Sequence, residues 1–202
     1  TLGWFSDPLP STIIDWPLPD IAGLLFHELA HEALYIKGDS AFNESYATVV
    51  EKEGVRRWLI SHGDAQQRGE RLLQERRWLE FLRLLEQMRQ RLADLYAKDA
   101  ERTELLARKR AVFLLLQEEY AELKQAWGGY AGYDRWMNRP LNKAHLASIS
   151  TYHALEPAFR RILNQFDGDM SAFHAACAEI GSTPAAERSV IMSDLLRAAE
   201  KE

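Results

Sequence analysis

In Phe26-His27-Glu28-Leu29-Ala30-His31-Glu32, two imidazoles stand four residues apart and a carboxylate follows the first. Four residues is close to one helical turn, so on a helix His27 and His31 project from one face, one above the other. Two imidazoles so placed can hold one Zn²⁺, with Glu28 positioned to work on a zinc-held water. The chemistry is metal-assisted hydrolysis, in which Glu28 takes the attacking water's proton and passes it to the leaving group. A single histidine on an apolar helix is more often a satisfied core residue. A pair at this spacing enclosing a glutamate shifts that balance strongly.

Zinc with two histidines needs a third protein ligand if a fourth position is to stay open for water. Glu44 is the best placed, because a turn around Lys37–Ser40 lets the following helix fold back antiparallel against the first. The alternative is a solvated first-turn glutamate favoured by the helix dipole. Glu51 lies seven residues beyond Glu44, close to two turns, and so shares its face. From there it can accept the second N–H of a ligand histidine and fix its tautomer.

Two helices must hold these groups. The first takes Asp20 as N-cap after Pro19 and stops at Gly38, with Ile21, Leu24, Leu25, Leu29 and Ala33 as its buried side. The second runs from Ala41 to about Ile60. Ahead of them, residues 1–20 carry four prolines and two tryptophans. That makes an irregular, aromatic-anchored segment, either a lid over core hydrophobics or one wall of a substrate groove.

His-Glu-Leu-Ala-His followed by Asn43-Glu44-Ser45-Tyr46-Ala47-Thr48-Val49-Val50-Glu51 resembles the gluzincin class of zinc peptidases. More closely, the opening Thr1-Leu2-Gly3-Trp4-Phe5, the runs Phe26–His31 and Phe42–Thr48, and Glu53-Gly54-Val55-Arg56-Arg57-Trp58-Leu59 are similar to a bacterial family of predicted aminopeptidases. The resemblance covers most of the chain. It implies His27, His31 and Glu44 as zinc ligands, Glu28 as general base, a peptide substrate and a cell-envelope location. Members of that family also carry a segment before this starting point. The spacer from His31 to Glu44 is shorter than in the best-known gluzincins, so substrate details do not carry over from those.

Beyond the two helices, Trp78, Phe81, Leu85, Met88, Leu92 and Leu95 repeat at 3,4 spacing, as do Phe113, Leu116, Tyr120, Leu123 and Trp127. Residues 64–127 therefore form two long amphipathic helices in an antiparallel hairpin, broken near Lys98–Thr103. The hairpin either packs on the catalytic helices or serves as a docking arm. A glycine-rich loop follows at Trp127–Tyr133, without the pattern of a phosphate cradle. The stretch from Leu141 to Phe159 resembles a second motif region of the bacterial family, with Asn142-Lys143 where a pair of asparagines is usual. Hydrolysis needs a donor for the developing oxyanion, and Tyr152 is chosen, with His145 and His153 behind it. A core tyrosine tied to backbone is an equal alternative. Residues 158–202 read as one or two more amphipathic helices around Gly168 and the Gly181–Pro184 turn.

The fold class expected is mainly α: a zincin-like catalytic helix pair with a long antiparallel hairpin and C-terminal helices. Residues 1–202 make one domain, with a zinc-binding part over 1–60, the hairpin over 64–127 and a C-terminal helical part over 128–202. The opening Thr-Leu-Gly-Trp, without Met, reads as a piece of a longer chain. With 47% hydrophobic residues, 202 residues can bury a real core. A net charge of −5 gives no reason to expect nucleic acid or an anionic membrane as partner. No apolar run approaches the ~20 residues needed to span a bilayer, and the single Cys177 excludes an internal disulfide framework. The function expected is a zinc-dependent peptidase, an aminopeptidase if an acid holds the substrate's α-amine. Asp15, Glu32 or a residue of a preceding N-terminal region are open choices for that acid, as is its absence, and endopeptidase action stays open. The rival is a zinc-binding scaffold that presents the hairpin to a partner.

Overall fold

The computed structural model describes residues 13, 15–97, 101–142, 145 and 153–199. These form eight helices and, among the described residues, no strand, so the chain is mainly α. They fall into two compact units. One takes the helices up to Arg68 and those from Glu156 onward, and the other takes the stretch from Gly69 to His145.

In the first unit, α1 (Leu18–Ala33) and α2 (Ser40–His62) form a helical pair. The start of α1 lies three residues earlier than Asp20 as N-cap predicts. Its cap position is Pro17, whose carbonyl accepts from the Asp20 and Ile21 amides at 2.9 and 3.2 Å. Pro19 fits inside the first turn because an amide there has no intrahelical partner to lose. Asp20 serves instead as a first-turn anion at the positive end of the helix dipole. The helix ends at Ala33, before Gly38, and Gly38 takes a left-handed φ of 85° in the connecting turn.

α2 is capped by Asp39, whose carboxylate accepts from the Phe42 amide at 3.1 Å. Contacts fall on α1 as they rise on α2, Gly23 near Val55, His27 near Glu51, His31 near Glu44, so the pair is antiparallel. The face of α1 turned inward differs from the expectation. Gly23 and Ala30 are buried and Ile21 and Leu24 half-buried, whereas Leu25, Leu29 and Ala33 are exposed. Small residues, rather than the largest apolar ones, let the helices come close.

α6 (Glu156–Gln165), α7 (Met170–Ser182) and α8 (Ala185–Ala199) complete this unit. Their core joins Phe42, Tyr46 and Val49 of α2 to Phe159, Phe173, Cys177 and Met192. Phe42 meets Phe159 edge-on at 4.8 Å, and Tyr46 stacks on Phe173 at 5.8 Å. Arg188 of α8 is buried among polar partners. It donates to Asp39 Oδ2 at 2.8 Å and to the carbonyls of Thr183 and Gly181 at 2.8 and 3.1 Å. One guanidinium thus satisfies the end of α7 and steadies the cap that starts α2.

The second unit is the expected hairpin, α3 (Ala65–Tyr96, its first turn in the other unit) and α4 (Arg102–Ala126). Arg91 lies 3.9 Å from Glu119, and the Trp127 indole donates to Glu80 at 2.5 Å, an antiparallel register. Phe81, Leu85, Met88, Leu92 and Leu95 are buried along it. A short helix, α5 (Asp134–Met137), sits after the glycine loop and closes back on the hairpin. Tyr133 stacks on Phe81 at 4.4 Å, and Asp134 accepts from Tyr120 and Lys124 at 2.7 and 2.5 Å.

Replacing Arg188 with Ala strands Asp39 and two carbonyls in a poorly solvated place. We expect a loss of about 3 kcal/mol, seen as a lower urea midpoint at unchanged slope. An unchanged midpoint would mean that water replaces the guanidinium at no cost.

Candidate metal centre

His27 and His31 occupy neighbouring turns of α1 and both turn towards Glu44 in the second turn of α2. Their Nε2 atoms lie 3.2 Å apart. The Glu44 carboxylate faces both, Oε2 at 3.4 Å from His27 Nε2 and Oε1 at 3.8 Å from His31 Nε2. A tetrahedral ion bound at 2.0–2.1 Å sets its donors about 3.3 Å apart, so the three side chains stand near the spacing such an ion requires, with a different Glu44 oxygen facing each histidine. Among the described residues they form the one group of three or more His, Cys, Asp or Glu able to hold a metal ion.

The second nitrogen of His27 is also engaged. Its Nδ1 lies 3.2 Å from Glu51 Oε2, leaving Nε2 to face the cluster. The hydrogen bond to Glu51 raises the His27 pKa above 6.5 against the opposing effect of burial, with the charges of Glu51 and Glu44 adding to the rise. A proton in the metal-free form therefore marks a place where surrounding carboxylates favour positive charge. His31 goes the other way: burial lowers its pKa, and the neighbouring His27 adds to the fall. Its Nδ1 is buried and meets no hydrogen-bond partner among the described residues. A neutral imidazole is the form a metal ligand needs.

The backbone around Glu44 is held by a residue that sequence reading passed over. Asn43 is buried, and its side-chain amide pairs with the backbone of Ile36 in both directions, Ile36 N to Oδ1 and Nδ2 to Ile36 O, each 2.8 Å. This clamp ties the α1–α2 turn to the residue preceding the third donor. The available signal was its type: asparagine is a poor helix former, and here it sits inside a helix beside a candidate ligand.

The other predicted residues fall in different places. Glu28 is half-buried on α1 between the two histidines, while Asp15 and Glu32 are exposed. His145 makes a reciprocal local pair with Asn142, at 3.3 and 3.1 Å. His153 Nδ1 lies 3.5 Å from Glu156 Oε2, whose other oxygen accepts from Lys52 of α2 at 2.5 Å. Burial opposes ionisation of Glu156, yet His153 and Lys52 outweigh it and hold its carboxyl down at about 2. Tyr152 lies outside the described residues, as do residues 1–12.

In metal-free protein, His27 should titrate above 6.5 and His31 below it, followed by NMR of the ring protons. Protonation of His27 stabilises the folded state below pH 6.5, and that contribution is lost as pH rises through the raised value. Glu51→Gln should bring the His27 value down. A His27 that does not respond to this change would show that the contact does not form in solution.

A family model described as "Putative aminopeptidase" matches residues 1–192. Searches of curated proteins and of solved structures return no match.

Proposed function

The chain belongs to the putative aminopeptidase family, and from that membership we propose that it is a zinc-dependent peptidase of the gluzincin type. The observation that carries this reading is the convergence of His27 Nε2, His31 Nε2 and the Glu44 carboxylate at ligand spacing. Three donors of this kind are the usual set of a catalytic zinc, which keeps a fourth position open, whereas a structural zinc is closed by four. Bound zinc would supply Lewis-acid polarisation of the scissile carbonyl and acidify the attacking water.

The remaining work falls to the chain. Glu28, placed between the two histidines, accepts the proton of the attacking water and delivers it to the departing amine. Glu51 holds His27 in the tautomer that presents Nε2, as outer carboxylates do for ligand histidines. Tyr152 is assigned the oxyanion donor on residue type alone. An aminopeptidase must also hold the substrate's free α-amine with an acidic group, and exposed Glu32, one residue beyond His31, is the nearest such carboxylate in sequence on α1.

Elemental analysis should find about one zinc per chain in wild type and in Glu28→Gln, and little in Glu44→Ala. Glu28→Gln should lower kcat/KM on short peptides by roughly 10²–10⁴-fold, and N-acetylation of the peptide should abolish its cleavage. Full activity in Glu28→Gln would refute the assigned base. Equal cleavage of acetylated peptides would make the enzyme an endopeptidase.

A further inference from the structure

α1 and α2 meet at one point where an ordinary side chain would not fit. Gly54 lies three residues after Glu51 on α2, under one turn away. A Cβ built on Gly54 would stand 2.6 Å from Cδ2 and 2.7 Å from Cγ of Phe26, far inside van der Waals contact. Phe26 immediately precedes His27. Because Cγ is the root of the ring, turning the ring about its own axis does not clear the clash. Either the whole side chain must leave its place or the helices must separate. Opposite, Gly23 lies one turn before His27. A Cβ there would meet Val55 Cγ2 at 3.3 Å and Glu51 Oε1 at 3.4 Å. The Glu51 carboxylate thus reaches His27 by lying against bare α1 backbone.

Mid-helix glycine is the poorest helix former after proline, so local propensity gives no reason for either residue. Gly69, where an added Cβ would meet nothing within 4 Å, shows what an unconstrained helical glycine looks like in this chain.

We propose that Gly54 is a positioning residue for the metal centre: by letting Phe26 rest on the α2 backbone, it sets the separation at which His27 faces both Glu44 and Glu51. The inference rests on reading the His27–His31–Glu44 triad as a zinc site. The tolerance is small. His27 lies 3.2 Å from Glu51 and 3.4 Å from Glu44. A separation larger by about 1 Å puts Glu51 outside hydrogen-bond range and spoils the donor spacing.

The test measures Zn²⁺ affinity of the full chain by competition with a chromophoric chelator, with circular dichroism to confirm folding. Gly54→Ala should bind zinc at least tenfold more weakly, the scale seen when an outer-sphere contact is lost, while Gly69→Ala should bind as wild type does. Adding Phe26→Ala to Gly54→Ala removes Cγ and every atom beyond it, the atoms that clash, and should restore most of the affinity. Wild-type affinity in Gly54→Ala would overturn the inference, because Phe26 would then step aside without moving the helices. The double variant decides the matter even if Gly54→Ala does not fold: a folded double variant that binds weakly also overturns it. Wild-type protein that takes up no zinc would instead refute the metal reading, and with it this inference.

Discussion

The closely packed antiparallel contact of α1 with α2 is the constraint on which the rest depends. Two of the three converging donors sit on one helix and the third on the other, so their spacing is a property of the helix pair. Three devices fix that pair. Asn43 clamps the turn with its side-chain amide, the oxygen accepting from Ile36 N and the nitrogen donating to Ile36 O, and Asp39 caps α2 while accepting from the buried Arg188. Along the seam, Gly23, Ala30 and Gly54 keep the interface thin. A bulkier seam would still bury apolar area, but it would hold the carboxylates of α2 beyond reach of His27.

α2 explains why charge and core coexist here. It is enclosed on several sides, and its faces carry different kinds of contact. Glu44 and Glu51 face α1, Phe42, Tyr46 and Val49 enter the core with α6 and α7, and Lys52 pairs with Glu156. Buried Glu53 is gripped by Arg56 and Arg57, and the hydrogen bond from Arg56 leads in holding its carboxyl down at about 2 against the effect of burial. Lys52 and Glu53, the charges of this helix most removed from water, each have opposite partners within hydrogen-bond range, as burial demands.

This arrangement also sets how much was legible in the sequence. The triad was readable because its geometry is nearly local: one helical turn, a short connection and the second turn of the next helix. The hairpin was readable because Phe81, Leu85, Met88 and Leu92 keep an uninterrupted 3,4 pattern on a helix buried on one side only. The inward face of α1 was misjudged because hydrophobicity favours Leu25 and Leu29, whereas close approach selects small residues, a packing requirement that periodicity does not encode. Arg188 escaped notice because its partner Asp39 lies 149 residues away. The return of Tyr133 and Asp134 onto the hairpin is likewise a tertiary event, with only a glycine loop to announce a turn. Asp20 as cap followed from residue preference, and Pro17 and Pro19 moved the helix start ahead of it.

The central claim, that these three side chains hold a metal ion, is tested most directly by X-ray absorption at the zinc edge on the zinc-loaded full chain. The account predicts two imidazole nitrogens and oxygen donors at about 2.0–2.1 Å with no sulfur, and the loss of one imidazole contribution in His31→Ala. A thiolate shell near 2.3 Å, an all-oxygen environment, or no stoichiometric uptake of zinc would contradict it.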